Sequence, residues 1–562
     1  MVKRIGIFIN AFLPDAVIIF CLLYAGWKFM SPLENHIDIG LWDESGYLYQ
    51  GTQLLKTGLP KAMDAPLYVV WYFLLSLFRP DRIGLYYFNY RLLAVLLPVA
   101  FYLVLRVNKK SLLVSVALAF FFLISFANLD VWPRVNHFAL LVVLASFVVA
   151  GFFKDFLAQM AVFSLGGLMG SYVRPELFVV YILLSLGYLG ILIVLVLKKI
   201  RSIGRNWIVL AGWAVISLLC LIFLGVPASG TDRLMVAFAQ HFSLHWVEWN
   251  HLSLNGWTDY PQIMAQVFGS IQSPWQALVG HPGLFMKHIL ANAAQMVPVF
   301  WNLFFDHTPV ILLPWRRNQE NILLFIVAIG FLIYSLLPTQ TIFKGRNGLP
   351  WKEFGKMLTK RLGEVWKTNA VQNAAPLVAT AGYLLSAPLS ILVIWPEVHY
   401  LLLNGLIYIL MLALLAVHRA GTISIKYALI FGLVLMAVTP PFISNKSSGP
   451  LNNKNTIQFL NTLKITGNVV MLEADGGYEY YVTAYPVQRI RHDAKSGNFN
   501  EFLSQSGINM VVVSPVLLNE YRYANDEEWI NFLENYPAFG FERQDIPGSD
   551  RWVLISSALL AP

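Results

Sequence analysis

The sequence predicts an all-α polytopic membrane domain of about 11–13 helices, followed by a small extracytoplasmic α/β domain. Three observations predict it. Of 562 residues, 57% are hydrophobic and only 13% are charged, with a mean hydropathy of +0.60. Several apolar runs exceed the ~18 residues that a helix needs to cross a bilayer. From about residue 446 the long runs stop and short alternating segments begin. A soluble protein has no need of so much apolar surface, whereas helices facing lipid require it.

The first run, about 5–29, follows Lys3 and Arg4 and has no small-residue cleavage site after it. It reads as an uncleaved helix with a cytoplasmic N-terminus. Basic clusters at Arg106–Lys110, Lys198–Arg205 and His418–Lys426 belong on the cytoplasmic side, because Lys and Arg fix loop orientation. That places spans near 85–106, 111–127, 136–153, 156–173, 176–197 and 206–226. The run 66–79 is too short to span and reads as a re-entrant or interfacial helix.

Residues 227–286, rich in Trp, His and Asn, form a long external segment. The basic segment 344–370 belongs inside, so only one of the runs 287–314 and 320–341 crosses fully; the sequence leaves open which. Spans near 371–394, 398–417 and 424–443 then leave the C-terminal part outside. The expected organisation is a membrane domain over 1–445 and a soluble domain over 446–562, in an inner or plasma membrane.

Charge follows the same division. Residues 446–562 hold nine Lys/Arg against thirteen Asp/Glu, a balance of −4; the whole chain is +9, so residues 1–445 carry +13. A basic excess placed in membrane loops is an orientation signal and gives no ground for nucleic-acid binding. Cys21 and Cys220 both lie in apolar runs, which implies no disulfide framework. Past the linker "NKSSGPLNNKN", helices near 453–463, 499–507 and 526–535 alternate with strands at 468–474, 508–515 and 551–556. No GxGxxG and no P-loop occurs among them.

The chemistry concentrates after the first helix. Asp43, Glu44 and Tyr47 form an Asp-Glu-x-x-Tyr pattern, followed by an amphipathic stretch ending at Thr57-Gly58 and a Pro-Leu-Tyr run at 66–68. An acid at a membrane surface is usually a solvated loop charge; beside a cavity it can act as a general base. The pattern resembles the first external loop of GT-C glycosyltransferases, in particular the protein O-mannosyltransferase and lipid A aminoarabinose transferase branch. The resemblance extends to short external loops after the third and fifth helices, a long loop after the seventh and a C-terminal external domain.

That resemblance implies a polyprenyl-phosphate-linked sugar as donor and a glycan, lipid or protein hydroxyl as acceptor, with inversion at the anomeric carbon. It implies that Asp43 is the catalytic base and that Glu44, the second catalytic candidate, supports it or orients a substrate group. A departing lipid phosphate gathers negative charge, which cations stabilise. The external-side candidates for it are Arg134, Arg174, Lys61 and His399, and for Arg174 a salt bridge to Glu176 is the structural alternative. Tyr47, Asp130, His241 and His245 are the candidate substrate contacts, Asp130 being taken for the second-loop acid of the family because Asn136 stands at the Arg-x-Asp place.

His241, His245 and Glu248 fall at i, i+4 and i+7, so a divalent metal is a further option. The Trp residues crowding that segment fit a sugar-stacking or interfacial loop equally well. No cofactor is otherwise implied. A transporter or flippase, or a polysaccharide ligase or polymerase, are the competing classes. The first predicts inverted repeats and charges at mid-membrane. No clear repeat is present, and Asp15 is the one acid within an early span.

Overall fold

The computed structural model describes residues 2–129, 132–198, 207–227, 231–306, 367–416, 425–439, 441 and 450–560. Within these the chain is mainly helical, with one small sheet near the C-terminus. α1 (Val2–Phe29) leads to α2 (Asp43–Thr57) and α3 (Pro66–Ser76). Then come α4 (Arg82–Val107), α5 (Leu112–Leu123), α6 (Phe126–Leu129), α7 (Val135–Gly151), α8 (Phe156–Ser171), α9 (Phe178–Leu197) and α10 (Trp207–Phe223). The segment expected outside contains α11 (Thr231–Asn250), α12 (Tyr260–Phe268) and α13 (Pro274–Gly280), before α14 (Pro282–Asp306). α15 (Ala374–Val393), α16 (Val398–Ala416) and α17 (Ile425–Val438) complete the apolar part.

Three stretches among the described residues, Leu13–Asn35, Arg82–Val107 and Pro175–Leu197, are helical, long and apolar enough to cross a bilayer. Shorter apolar helical stretches, such as Val135–Gly151, Phe156–Ser171, Trp207–Phe223 and His399–Leu415, have 10–17 residues. The run 320–341 and most of the basic segment 344–370 lie outside the described residues, and with them the question of which run crosses.

Small residues let consecutive helices approach. A side chain on Gly167 of α8 would meet the backbone of Tyr181 in α9 at 2.9 Å, and one on Gly166 would meet Ser146 of α7. The outward faces stay apolar: α9 exposes Leu186, Ile193 and Leu197, and α10 buries only Ser217 while exposing Ile208, Leu218 and Ile222. Surfaces of that kind are stable against lipid, not water. Asp15 is engaged: it accepts from Arg106 Nε at 2.7 Å and from the Tyr102 hydroxyl, tying α1 to α4. The turns at 29–43, 171–178 and 393–398 fall at one end of the helices, and Lys109–Lys110 at the other.

The C-terminal part has α18 (Asn452–Thr462), β1 (Val469–Glu473), β2 (Val487–Arg491), α19 (Phe499–Ser506), β3 (Met510–Val513), α20 (Pro515–Asn519), α21 (Tyr521–Ala524), α22 (Glu527–Glu534), β4 (Phe541–Asp545) and β5 (Trp552–Ser556). The order is β2-β1-β3-β5-β4; β1 runs parallel to β2 and β3, and β5 antiparallel to β3 and β4. β2 and β4 were not among the expected strands. Both are edge strands of mixed polarity, "VQRIR" and "FERQD", without the apolar run of a central strand.

Alternation splits the sheet into two faces. Leu472, Val511, Val513 and Leu554 pack with Phe499, Trp529 and Phe532 of α19 and α22. Met471, Met510, Val512 and Ile555 belong to the same apolar cluster as the long helices. The domain is therefore joined to the helical part by a shared core.

Candidate functional site

The site begins at the turn Trp42–Ser45. Trp42 caps α2 with φ +61°, a backbone region that disfavours side chains, and its N–H donates to the Gly476 carbonyl at 2.6 Å. Gly476 has φ +82°, and a side chain there would collide with the Trp42 indole. A side chain on Gly477 would lie 3.1 Å from Ser45. The loop after β1 thus holds the start of α2. Arg82 adds a bond to the Tyr480 carbonyl at 2.7 Å, and Asp38 accepts from the first amides of α18, Asn453 and Lys454, at 2.8 and 2.9 Å.

Consecutive helical residues point ~100° apart. Here that separates the acids. Glu44 turns inward and is fully buried; Asp43 is exposed. Glu44 Oε1 accepts from the Tyr68 and Tyr72 hydroxyls, each at 2.5 Å, and from Asn89 at 3.3 Å, while Oε2 accepts from the Arg134 backbone at 2.9 Å. Burial pushes its carboxyl above the usual range, against the lowering effect of those donors. Glu44 is therefore a brace joining α2, α3, α4 and the start of α7, and the expectation of a catalytic Glu44 is corrected: its carboxylate is closed off from any substrate.

Asp43 lies within electrostatic range of Tyr47, Arg233 and Tyr400. Tyr47 is hydrogen-bonded to Arg233, which also donates to the Met63 carbonyl and sits 3.8 Å from Asp64. Arg233 and Arg174 are close enough to repel. Arg174 bonds Glu176 at 2.7 Å and stacks its guanidinium over Tyr400 at 5.0 Å. Two arginines, two tyrosines and one aspartate thus converge from α2, the α8–α9 turn, α11 and α16.

Behind Arg174 a small cleft of about 20 Å³ opens between α7, the α8–α9 turn, α15 and α16. Arg174, Glu176, His399 and Tyr400 form its polar rim, and Asn136, Ser386 and Asn404 line it further in. Of the four cations expected to meet a phosphate, the structure brings Arg174 and His399 to this one cleft. Arg233, Tyr400 and Asn404 were missed by the sequence reading.

The remaining candidates go elsewhere. Arg134 is fully buried, with its Nη groups on the carbonyls of Asn128 and Leu129 at 2.7 and 2.6 Å and its guanidinium 3.3 Å from the Tyr90 ring centre. A side chain so engaged has no reach to the cleft, which corrects its assignment to the phosphate. Lys61 is exposed on the loop that Arg233 holds. Asp130 lies outside the described residues.

His241 and His245 are buried in an aromatic wall rather than open to substrate. His241 stacks on Trp395 at 5.8 Å; His245 stacks on Trp249 at 5.0 Å and shares a hydrogen bond with His288, Nδ1 to Nδ1, at 2.9 Å. Burial pushes the two imidazoles down to about 3 and about 4, so both are neutral at neutral pH. Glu248 lies two turns on, ~10 Å along α11, and is exposed. The His241–His245–Glu248 option for a metal is therefore not assembled. No group of three His, Cys, Asp or Glu among the described residues is arranged to hold a metal.

No protein-family model matches the chain, and no curated protein does.

Proposed function

We propose that this chain is an inverting membrane glycosyltransferase of the GT-C type. It moves a sugar from a polyprenyl-phosphate donor to an acceptor hydroxyl on the extracytoplasmic side. The observation that carries the reading is the meeting of Asp43 with Arg233, Arg174 and Tyr400 at the mouth of a polar cleft in an otherwise apolar helical body. Charges gathered at one end of an apolar helical body call for a functional reason. The basic loop at Lys109–Lys110 falls at the opposite end of the helices, in keeping with a cytoplasmic N-terminus and an extracytoplasmic site.

The chemistry assigned to the residues is as follows. Arg174 and Arg233 hold the donor phosphate, their forks matched to its oxygens. The acceptor hydroxyl oxygen attacks the anomeric carbon from the face opposite the phosphate. Its proton passes to the Asp43 carboxylate as the bond from carbon to phosphate oxygen breaks. The polyprenyl phosphate leaves with the electron pair, and the arginines stabilise its charge. The exposed position of Asp43 at the mouth suits the base role, and Glu44 holds the turn that carries it.

The test is incubation of the purified chain in nanodiscs with radiolabelled glycosyl polyprenyl phosphate and a mixed lipid and glycan acceptor fraction. The reading expects label on an acceptor together with released polyprenyl phosphate. Movement of intact donor across a vesicle with no bond broken would instead make the protein a transporter.

A further inference from the structure

We propose, resting on the transferase reading above, that Arg522 of the C-terminal domain is a positioning residue for the donor-phosphate site. Through Asp259 it fixes where α11, and with it Arg233, stands at the mouth.

Asp259 and Glu520 are each more than nine-tenths buried, and the Arg522 guanidinium is bonded to both. Its Nη2 donates to Asp259 Oδ1 and its Nη1 to Glu520 Oε1 at 2.7 Å; both nitrogens reach Thr258 Oγ1 at 3.3 Å. Asp259 Oδ2 accepts from the Tyr521 hydroxyl and from the Asn255 amide, each at 2.8 Å. A guanidinium held by two buried carboxylates has little freedom of orientation. Removing that cation leaves two buried anions without a counter-charge, so the joint opens.

The turn that carries Asp259 is folded back on α11. A side chain on Gly256 would meet the Leu244 backbone nitrogen at 2.7 Å. Gln240 donates to the Trp257 carbonyl at 3.2 Å, and the Trp257 ring stands edge-on to His241 at 5.0 Å. The turn and α11 therefore move together. Gln240 lies only ~10 Å along the same helix from Arg233.

Packing leaves the seam to polar contacts. Phe238, Phe242, Phe268 and Phe285 form a cluster of their own, and among the described residues none of its members comes from the C-terminal domain. Three contacts then close a ring around the mouth: Gly476 to Trp42, Arg522 to Asp259, and Arg233 to Tyr47. Asp43 follows Trp42 in the chain. The C-terminal domain thus holds the base from one side and, through α11, a phosphate-facing cation from the other.

The experiment measures the affinity of the full chain in nanodiscs for bare polyprenyl phosphate, in wild type, Arg522→Ala, Arg233→Ala and the double variant. Arg522→Ala is expected to lower affinity about tenfold, as Arg233→Ala does. The double variant should fall no more than about twofold below Arg233→Ala alone, because two residues acting through one contact are not additive. If Arg522→Ala does not fold, Asp259→Asn, which keeps the shape of the joint and removes a charge, takes its place with the same expectation. Wild-type affinity in the Arg522 or Asp259 variant, or a double variant weakened by the product of the two losses, overturns the positioning role and leaves the transferase reading in place. If wild type itself does not bind the lipid, the phosphate site falls, and hydrogen exchange still decides the joint. Faster exchange of the α11 amides Val236–Gln240 in Arg522→Ala supports it, and unchanged exchange there overturns it.

Discussion

The Trp42 amide reaches across to the Gly476 carbonyl at 2.6 Å, and Gly476 has no side chain because the Trp42 indole occupies that space. Through this one contact the C-terminal sheet touches the residue preceding Asp43. Trp42 sits at φ +61°, a conformation that costs about 1–3 kcal/mol and persists only when its surroundings impose it.

The first prediction follows from that contact. Gly476→Val places a side chain against the indole and strains a φ of +82°. The amides of Trp42–Ser45 should then exchange with deuterium ~10-fold faster or more, while those of β3 and β5 keep their protection. Hydrogen exchange read by mass spectrometry measures both. Unchanged exchange at Trp42–Ser45 would mean that α2 sets its own start.

Glu44 supplies the second. Its carboxylate holds together two tyrosines, an asparagine and a backbone amide. Glu44→Ala leaves those donors buried without an acceptor and should cost about 3 kcal/mol or more. Glu44→Gln keeps one acceptor oxygen and should cost less. Thermal unfolding in detergent ranks the two; an alanine variant as stable as wild type would remove the brace from the account.

Glu473 gives a pH dependence. Burial pushes its carboxyl up to about 7 against the opposing pull of Arg489, whereas unfolded it titrates at its ordinary 4.5. Between these values the folded state holds the extra proton. The stabilising contribution is therefore complete below pH 4.5 and is lost as pH rises through 7. Asp493 and Asp526 shift the other way, since Arg491 and Lys495 outweigh the effect of burial, and they act only below their ordinary 3.8. His241 and His245, pushed down to about 3 and about 4, pull the other way below their ordinary 6.5, so the Glu473 effect is read as a difference: relative to Glu473→Gln, the melting temperature of wild type should gain as pH falls from 7.5 to 4.5.

Much of this arrangement was legible in the chain. Helices such as those near 85–106 and 398–417 were visible because an uninterrupted apolar run of that length has few other uses, and α4 and α16 match them closely. The strands 468–474, 508–515 and 551–556 showed through their central, apolar character. β2 and β4 did not, because an edge strand tolerates Gln, Arg, Glu and Asp.

At the site, adjacency concealed function. Nothing in "WDES" says which acid turns inward; the tyrosines that claim Glu44 come from α3, 24 and 28 residues away. Arg134 and Arg174 looked alike as cations near outer helix ends, and only packing shows one sealed by backbone carbonyls. Arg233 had no local signal at all, since it acts on a loop 170 residues earlier.

Arg233 carries the fourth prediction. Arg233→Ala removes a cation from the mouth and releases the loop at Met63. Affinity for polyprenyl phosphate should fall about tenfold, and Arg233→Lys should recover only part of it, because an ammonium lacks the planar fork. Equal binding by wild type and the alanine variant would take Arg233 out of the phosphate site.

The central claim is that Asp43 takes the acceptor proton at the mouth of the cleft. It is tested most directly by single-turnover transfer from glycosyl polyprenyl phosphate with Asp43→Asn, alongside donor affinity. The account predicts a rate lower by about 10²–10⁴-fold with donor affinity within twofold of wild type. Transfer at the wild-type rate in that variant would contradict it.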